Sequence, residues 1–148
     1  MDRQAMSEAE WQVMRVLWAK PGSCSKEVIL ALSEGFDWKD VTVKTLLGRL
    51  RKKDYISAEK KDGRFRYYPL VTEEEHLEHQ LKNLLDNCCS GKQAYILERL
   101  VNLGNFSREK LERVEQQIID KKNSAPEQMI CSCIKGQCSC GHQKGETL

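Results

Sequence analysis

The sequence predicts a mainly α fold with one small β-hairpin and a cysteine-rich tail. Three observations carry that expectation. Apolar residues recur at helical spacing in separate stretches on both sides of residues 56–70. Asp62-Gly63 is a two-residue hairpin signal that demands positive φ at both turn positions. Residues 131–140 read CSCIKGQCSC, two Cys-x-Cys pairs on one short segment.

The first helix starts at Ser7-Glu8-Ala9-Glu10, a capping box in which Ser7 and Glu10 satisfy each other's backbone N–H groups. Trp11, Met14 and Trp18 recur at helical spacing with Val13 and Leu17 beside them, and Pro21-Gly22 ends the run. Ser25 is expected to cap a second helix, Lys26 to Ser33, with Val28, Ile29 and Leu32 inward and Gly35 as its stop. A third helix is expected from Val41 or Thr42 to Lys53. Its Val43, Leu46, Leu47 and Leu50 fall at i, i+3, i+4 and i+7, one buried stripe. Lys44, Thr45, Gly48, Arg49 and Lys52 lie opposite. A mid-helix glycine costs about 1 kcal/mol relative to alanine. On an outward face it makes sense where another surface must come close.

The hairpin spans Ile56 to Leu70. Its turn puts Glu59 opposite Arg66, an expected cross-strand ion pair, and presents Lys60, Lys61, Arg64 and Arg66 at the tip. Helix, helix, basic helix, basic hairpin is the order of a winged helix-turn-helix. There the third helix enters the major groove and the wing touches phosphate. Charge agrees. The chain carries only +2, yet Lys39 to Pro69 holds ten basic against four acidic residues. That confined excess is the usual footprint of a nucleic-acid site, with a merely solvated basic face as the bland alternative.

Beyond the hairpin, Thr72-Glu73-Glu74-Glu75 is a second capping box, followed by Leu77, Leu81, Leu84, Leu85 and Cys88 on one face. A helix after Gly91 carries Tyr95, Ile96, Leu100 and Leu103 and closes at Gly104. Another begins near Ser107 with Leu111, Val114, Ile118 and Ile119 and ends at Lys121-Lys122. Such short amphipathic helices bury little alone, so they are expected to pair with a second copy; the alternative is packing back onto the winged domain. Asn123-Ser124-Ala125-Pro126 opens a linker. The expected division is a winged-helix DNA-binding domain at 1–71, a helical dimerisation domain at 72–123 and a flexible metal-binding tail at 124–148.

No apolar run approaches the ~18 residues of a membrane span, and MDRQAMSEAEW is no secretory signal. The expected location is the cytoplasm, where thiols stay reduced and seven cysteines point to metal or redox chemistry. No Gly-rich phosphate loop or nucleophile–base set appears, so no enzyme is expected. His76 and His79, beside Glu75 and Glu78, read as a solvated helix face rather than a metal site. Cys24, Cys88 and Cys89 read as small apolar fillers. The four tail cysteines differ. Thiolates are soft ligands and select Cu(I) and Zn(II) over hard cations. Zinc sites usually space ligands Cys-x₂₋₄-Cys. A single spacer places two sulfurs side by side, which suits bridging; a purely structural zinc knuckle is the alternative.

EWQVMRVLWA (Glu10 to Ala19), SKEVI (Ser25 to Ile29) and VKTLLGRLRKKDYI (Val43 to Ile56) resemble the BlaI/MecI family of bacterial repressors. The terminal CxCxxxxCxC resembles its copper-responsive branch, the CopY/TcrY type. The resemblance implies a homodimeric winged-helix repressor on an inverted-repeat DNA operator like TACA–TGTA, in front of a copper-efflux operon. It implies that Zn(II) supports the DNA-bound form and that Cu(I) entering the thiolates releases it. By motif match Cys131, Cys133, Cys138 and Cys140 take the metal role, and Thr42, Lys44, Thr45 and Arg49 the recognition role. Lys52, Lys61 and Arg64 join them as expected DNA contacts, and a copper-donating chaperone is a further expected partner. The β-lactam-responsive branch is inactivated by cleavage at an Asn-Phe bond. Asn105-Phe106 stands at such a place here, though a helix boundary is the favoured reading because that branch lacks the cysteine tail. A copper or zinc carrier is the alternative from another class. Four thiolates with one Zn(II), or with the two Cu(I) that the resemblance implies, both carry −2. Coordination geometry must therefore distinguish the two states.

Overall fold

The computed structural model describes residues 3–140; residues 1–2 of the first expected domain and 141–148 of the tail lie outside the described residues. The order is α1 (Glu8–Ala19), β1 (Ser23–Cys24), α2 (Ser25–Leu32), α3 (Asp40–Lys52), β2 (Ile56–Lys61), β3 (Arg64–Pro69), α4 (Glu73–Asp86), a 3-10 turn (Ser90–Lys92), α5 (Gln93–Leu103) and α6 (Arg108–Lys122). The chain divides into two compact units, Met1–His79 and Gln80–Leu148. No helix among the described residues is long and apolar enough to cross a membrane.

In the first unit Ser7 and Glu10 form the expected capping box: Glu10 N–H donates to Ser7 Oγ at 3.1 Å and Ser7 N–H to Glu10 Oε1 at 2.8 Å. Val13, Met14 and Leu17 of α1 meet Val28 and Leu32 of α2 and the Val43, Leu46, Leu47 and Leu50 stripe of α3 in one core, closed by Tyr55 and Ile56. Each fully buried aliphatic side chain there contributes roughly 1.5–3 kcal/mol. The antiparallel sheet has the order β1-β3-β2. The hairpin register is the expected one, with Glu59 opposite Arg66, and Asp62 (φ 54°) and Gly63 (φ 76°) make the turn.

Three expectations change here. First, the second helix starts at Ser25 rather than being capped by it. Ser23 and Cys24 pair with Tyr67 and Arg66 as an edge strand, and Glu27 accepts the Cys24 N–H at 3.3 Å, so the cap falls one residue earlier. The α3 boundary moves in the same way, to Asp40 with Lys39 as its cap. Second, Glu59 and Arg66 do not form an ion pair. β3 is the central strand, so Arg66 reaches past it to Gly22 O (2.9 Å) and Glu27 Oε1 (3.4 Å), while Glu59 meets Lys61 at 3.5 Å. Arg66 thus belongs to the body and not to the hairpin tip.

Third, His76 is not on a solvated face. It is 5% exposed, with its ring edge-on to Trp11 at 4.5 Å and tilted against Trp18 at 5.8 Å. Trp11 and Trp18 sit two turns apart on α1 and leave a slot that the first turn of α4 fills. Burial, and then the neighbouring His79, push the His76 pKa below its ordinary 6.5.

A buried ion pair ties the two ends of the three-helix core. Glu10 is 1% exposed and its Oε1 accepts Lys53 Nζ at 2.7 Å; Lys53 also donates to Ala5 O at 2.9 Å. Burial raises the Glu10 pKa, but the Lys53 and Ser7 hydrogen bonds outweigh it and hold the carboxyl below its usual range.

The second unit is different. Leu81, Leu84 and Leu85 of α4, Tyr95, Leu100 and Leu103 of α5, and Leu111, Val114, Ile118 and Ile119 of α6 are all exposed in the single chain. Ser107 caps α6, accepting from Lys110 N–H at 3.3 Å. Gly104 closes α5, and a Cβ there would come within 2.2 Å of the Phe106 ring.

Two predictions follow from these buried polar groups. Lys53→Met strands the Glu10 carboxylate and should destabilise the first unit by about 2–3 kcal/mol in urea unfolding. That is less than a fully buried pair costs, because Lys53 keeps some solvent. His76 holds fewer protons folded than unfolded, so its stabilising contribution is complete above about pH 6.5 and is lost as the pH falls through the lower folded value. Acidification from pH 7 to 5 should therefore lower the melting temperature, and His76→Leu should remove part of that slope. An unchanged slope would mean that His76 titrates normally.

Candidate functional site

The outward face of α3 carries Thr42, Lys44, Thr45, Arg49 and Lys52, all exposed. They face out because the leucine stripe faces in. Thr45 donates its hydroxyl to Val41 O at 2.8 Å, so its oxygen remains as an acceptor. Among the described residues no atom lies within 4 Å of the point where a Gly48 Cβ would stand, so none of them requires glycine there. Its effect is to lower the floor between Thr45 and Arg49.

On the hairpin, Lys61 stands directly opposite Arg64, and both are exposed. Like charges across an antiparallel pair destabilise it, so this pairing favours contact with a polyanion. Lys61 is partly engaged already: its Nζ donates to the Tyr68 hydroxyl at 3.2 Å and stands 5.4 Å over that ring. That hydrogen bond raises its pKa. Sequence reasoning missed Arg51, whose guanidinium lies 5.7 Å over the half-exposed Phe65 ring and links the end of α3 to the hairpin. The available signal was a basic residue in the last turn of α3 and an aromatic on the wing.

In the second unit a turn at Ile134–Gln137, with Gln137 N–H donating to Ile134 O at 3.1 Å and Gly136 at φ 94°, folds the two Cys-x-Cys pairs together. Cys140 Sγ lies 2.9 Å from both Cys131 and Cys138, and Cys131 lies 3.5 Å from Cys138. A fifth sulfur joins them. Cys89 is 3.4 Å from Cys140, and Cys89, Cys131, Cys133 and Cys138 have sulfurs all within 4.8 Å of one another. A tetrahedral zinc with Zn–S bonds of about 2.3 Å needs S···S edges of about 3.8 Å, so the donor set suits a soft cation in its chemistry, and the 2.9 Å contacts of Cys140 would have to open to admit one.

Cys89 is thus no apolar filler. It follows α4 at a structured corner, with its carbonyl accepting from Lys92 N–H at 2.8 Å. Cys88 turns away and donates to Leu85 O at 3.5 Å, while Cys24 is buried in the first unit. The signal for Cys89 was its place just past a helix end, before Ser90-Gly91, where no apolar face continues. Asn105-Phe106 lies in the exposed connection between α5 and α6, with Phe106 preceding the Ser107 cap.

The cluster holds its protons unevenly. The Cys138 pKa is lowered to about 6, chiefly because its thiolate accepts from Cys140, with further hydrogen bonds from Cys131 and Cys89. Desolvation, then hydrogen bonds to Cys89 and Cys138, push Cys133 up to about 12. Cys140 is raised as well, through its hydrogen bonds to Cys131 and then Cys138. The network resembles a thiolate solvated by neighbouring thiols, in which a cation can take the place of the shared protons. In reduced, metal-free protein near pH 7, iodoacetamide should therefore label Cys138 first in the cluster, well ahead of Cys133 and Cys140, because only the thiolate reacts. Cys140→Ala should slow labelling of Cys138. Peptide mass spectrometry reads both rates, and equal rates at Cys138 and Cys133 would contradict the network.

The penicillinase repressor family profile matches residues 6–120. An uncharacterized 16.5 kDa protein of Latilactobacillus sakei is 33% identical over 135 residues, covering 91% of this chain and 92% of that one. The methicillin resistance regulatory protein MecI of Staphylococcus aureus (strain N315) is 30% identical over 117 residues, covering 79% of this chain and 94% of its own. The solved DNA-binding domain of the repressor BlaI is 34% identical, with a TM-score of 0.46 over 50% of this chain and 90% of that one. The family match stops at residue 120, short of the tail cysteines, and runs through the three-helix core, the hairpin and most of α6. On that span the chain belongs to the penicillinase repressor family.

Proposed function

We propose that the chain is a copper-responsive transcriptional repressor, which binds an inverted-repeat DNA duplex as a homodimer and releases it when Cu(I) enters the tail thiols. One observation carries the reading: a repressor-family chain in which CSCIKGQCSC draws its four sulfurs into one cluster. Thr42, Lys44, Thr45, Arg49 and Lys52 are assigned to the major groove, and Lys61 and Arg64 to phosphate. The segment 1–71 is the DNA-binding part, 72–123 the dimerisation part and 124–148 the sensing tail. The exposed leucine and isoleucine faces of α4 to α6 support the homodimer, since no described residue covers them.

Cys131, Cys133, Cys138 and Cys140 bind as thiolates and give up their remaining protons to solvent on ligation. A soft cation supplies the charge that lets several sulfurs stay together. Zn(II) asks these residues for one tetrahedral closure, which supports the DNA-bound form. Cu(I), handed over by a copper-donating chaperone, accepts lower coordination with shared thiolates. The same loop then closes differently at the same net charge.

The test is duplex binding by gel shift, with Zn(II) added first and Cu(I) second. The parent protein should be released by Cu(I). The variant with Cys131, Cys133, Cys138 and Cys140 all changed to Ser should bind DNA and stay bound. Arg49→Ala should weaken specific binding by about 1–3 kcal/mol if its guanidinium reads a base. A parent protein that remains on the duplex at saturating Cu(I) would remove copper from the reading. A chain that binds Cu(I) but no duplex would be a metal carrier instead.

A further inference from the structure

We infer that Cys89 is a fifth thiolate ligand of this metal site and anchors it to the corner between α4 and α5. The inference rests on the metal-binding reading above and goes beyond the four-cysteine motif. Cys89 and Cys140 are 51 residues apart in sequence, yet their sulfurs lie 3.4 Å apart. Cys89 is also one of the four cysteines whose sulfurs all lie within 4.8 Å of one another.

Its setting differs from that of the other four. Residues 129–140 contain no helix or strand. Cys89 sits at the entrance of the Ser90–Lys92 turn, with its carbonyl held by Lys92 N–H at 2.8 Å and its sulfur accepting Gly91 N–H at 3.4 Å. The adjacent Cys88 points its sulfur at Leu85 O, so the doublet sends one thiol into the cluster and one away from it. Cys89 is therefore the fixed ligand around which the tail closes.

Ligand number gives the fifth sulfur a purpose. One tetrahedral Zn(II) takes four sulfurs. Two three-coordinate Cu(I) ions that share one bridging thiolate take five; with only four sulfurs they must share two. Each thiol that ligates loses its proton to solvent, so the step balances without any oxidant. Copper loading would then engage Cys89 and load the α4–α5 corner, whose flanking helices carry the exposed apolar faces.

The experiment uses the reduced full chain, loaded with Cu(I) from a bathocuproine disulfonate buffer, and maps alkylation cysteine by cysteine. Copper should protect Cys89 together with Cys131, Cys133, Cys138 and Cys140, while Cys88 stays reactive. Cys89→Ser should weaken Cu(I) retention against the chelator by at least about tenfold, since even outer-shell partners cost metal sites that much. Cys88→Ser should leave it unchanged. If Cys89 is alkylated as fast with copper as without it while the four tail cysteines are protected, the fifth ligand is refuted and the tail site stands. If no tail cysteine is protected, the metal reading fails and this inference with it.

Discussion

Which side of α3 is buried decides nearly everything about the first unit. Val43, Leu46, Leu47 and Leu50 seat the helix against α1 and α2, and that one choice turns Lys44, Thr45, Arg49 and Lys52 outward. A helix rotated by a single residue position would bury a charge and expose a leucine, so the outward face is specified by the core and not by its own side chains. The Glu10–Lys53 pair acts on the same geometry. It joins the start of α1 to the end of α3 through a carboxylate that is 1% exposed. Buried ion pairs are weak evidence for net stability; this one fixes register, since Lys53 has to arrive where the capping box already holds Glu10 in place.

The second unit has no comparable core. Among its described residues the buried hydrophobic one is Cys131, and the large aliphatic side chains of α5 and α6 are exposed, apart from the half-buried Ile96. A unit of this size with so little buried apolar surface needs another source of order, such as a partner copy or a metal. The two need not act independently. The exposed faces lie on the helices that meet at the Cys89 corner, and the sulfur cluster closes on that corner. Metal-binding free energy in such a unit is also folding free energy, so a change in coordination can alter how α4 and α5 present their apolar surfaces.

Local patterns were legible in the sequence, and distant partners were not. The capping boxes at Ser7 and Thr72, the α3 stripe and the Asp62-Gly63 turn each depend on residues within a few positions of one another, and each appears as read. Arg66 was misread because a two-residue strand, Ser23–Cys24, is too short to announce itself, and it draws the guanidinium toward Glu27. His76 was misread because the slot between Trp11 and Trp18 exists only once α4 crosses α1. Cys89 reads as packing in the sequence because free cysteine is among the most buried residue types, and its sulfur partners lie more than forty residues away. In each case the missing information was a tertiary neighbour that hydrophobic period does not encode.

Under the proposed copper switch, coordination geometry also has to meet an energetic requirement. Moving a two-state equilibrium from one part in a hundred to ninety-nine takes about 5.5 kcal/mol of differential binding. Charge cannot supply it while both metal forms hold the same thiolates, because one Zn(II) and two Cu(I) bring the same positive charge; a fifth thiolate held by one form alone makes that form one unit more negative. In a homodimer each protomer carries one cluster, so each needs to contribute only about half of that amount. Gaining or losing one thiolate ligand is worth at least about tenfold in metal affinity, or about 1.4 kcal/mol, per site. A fifth ligand engaged by one metal form and spared by the other would therefore supply a substantial share of the switch, and it would apply it at the α4–α5 corner rather than in a free tail.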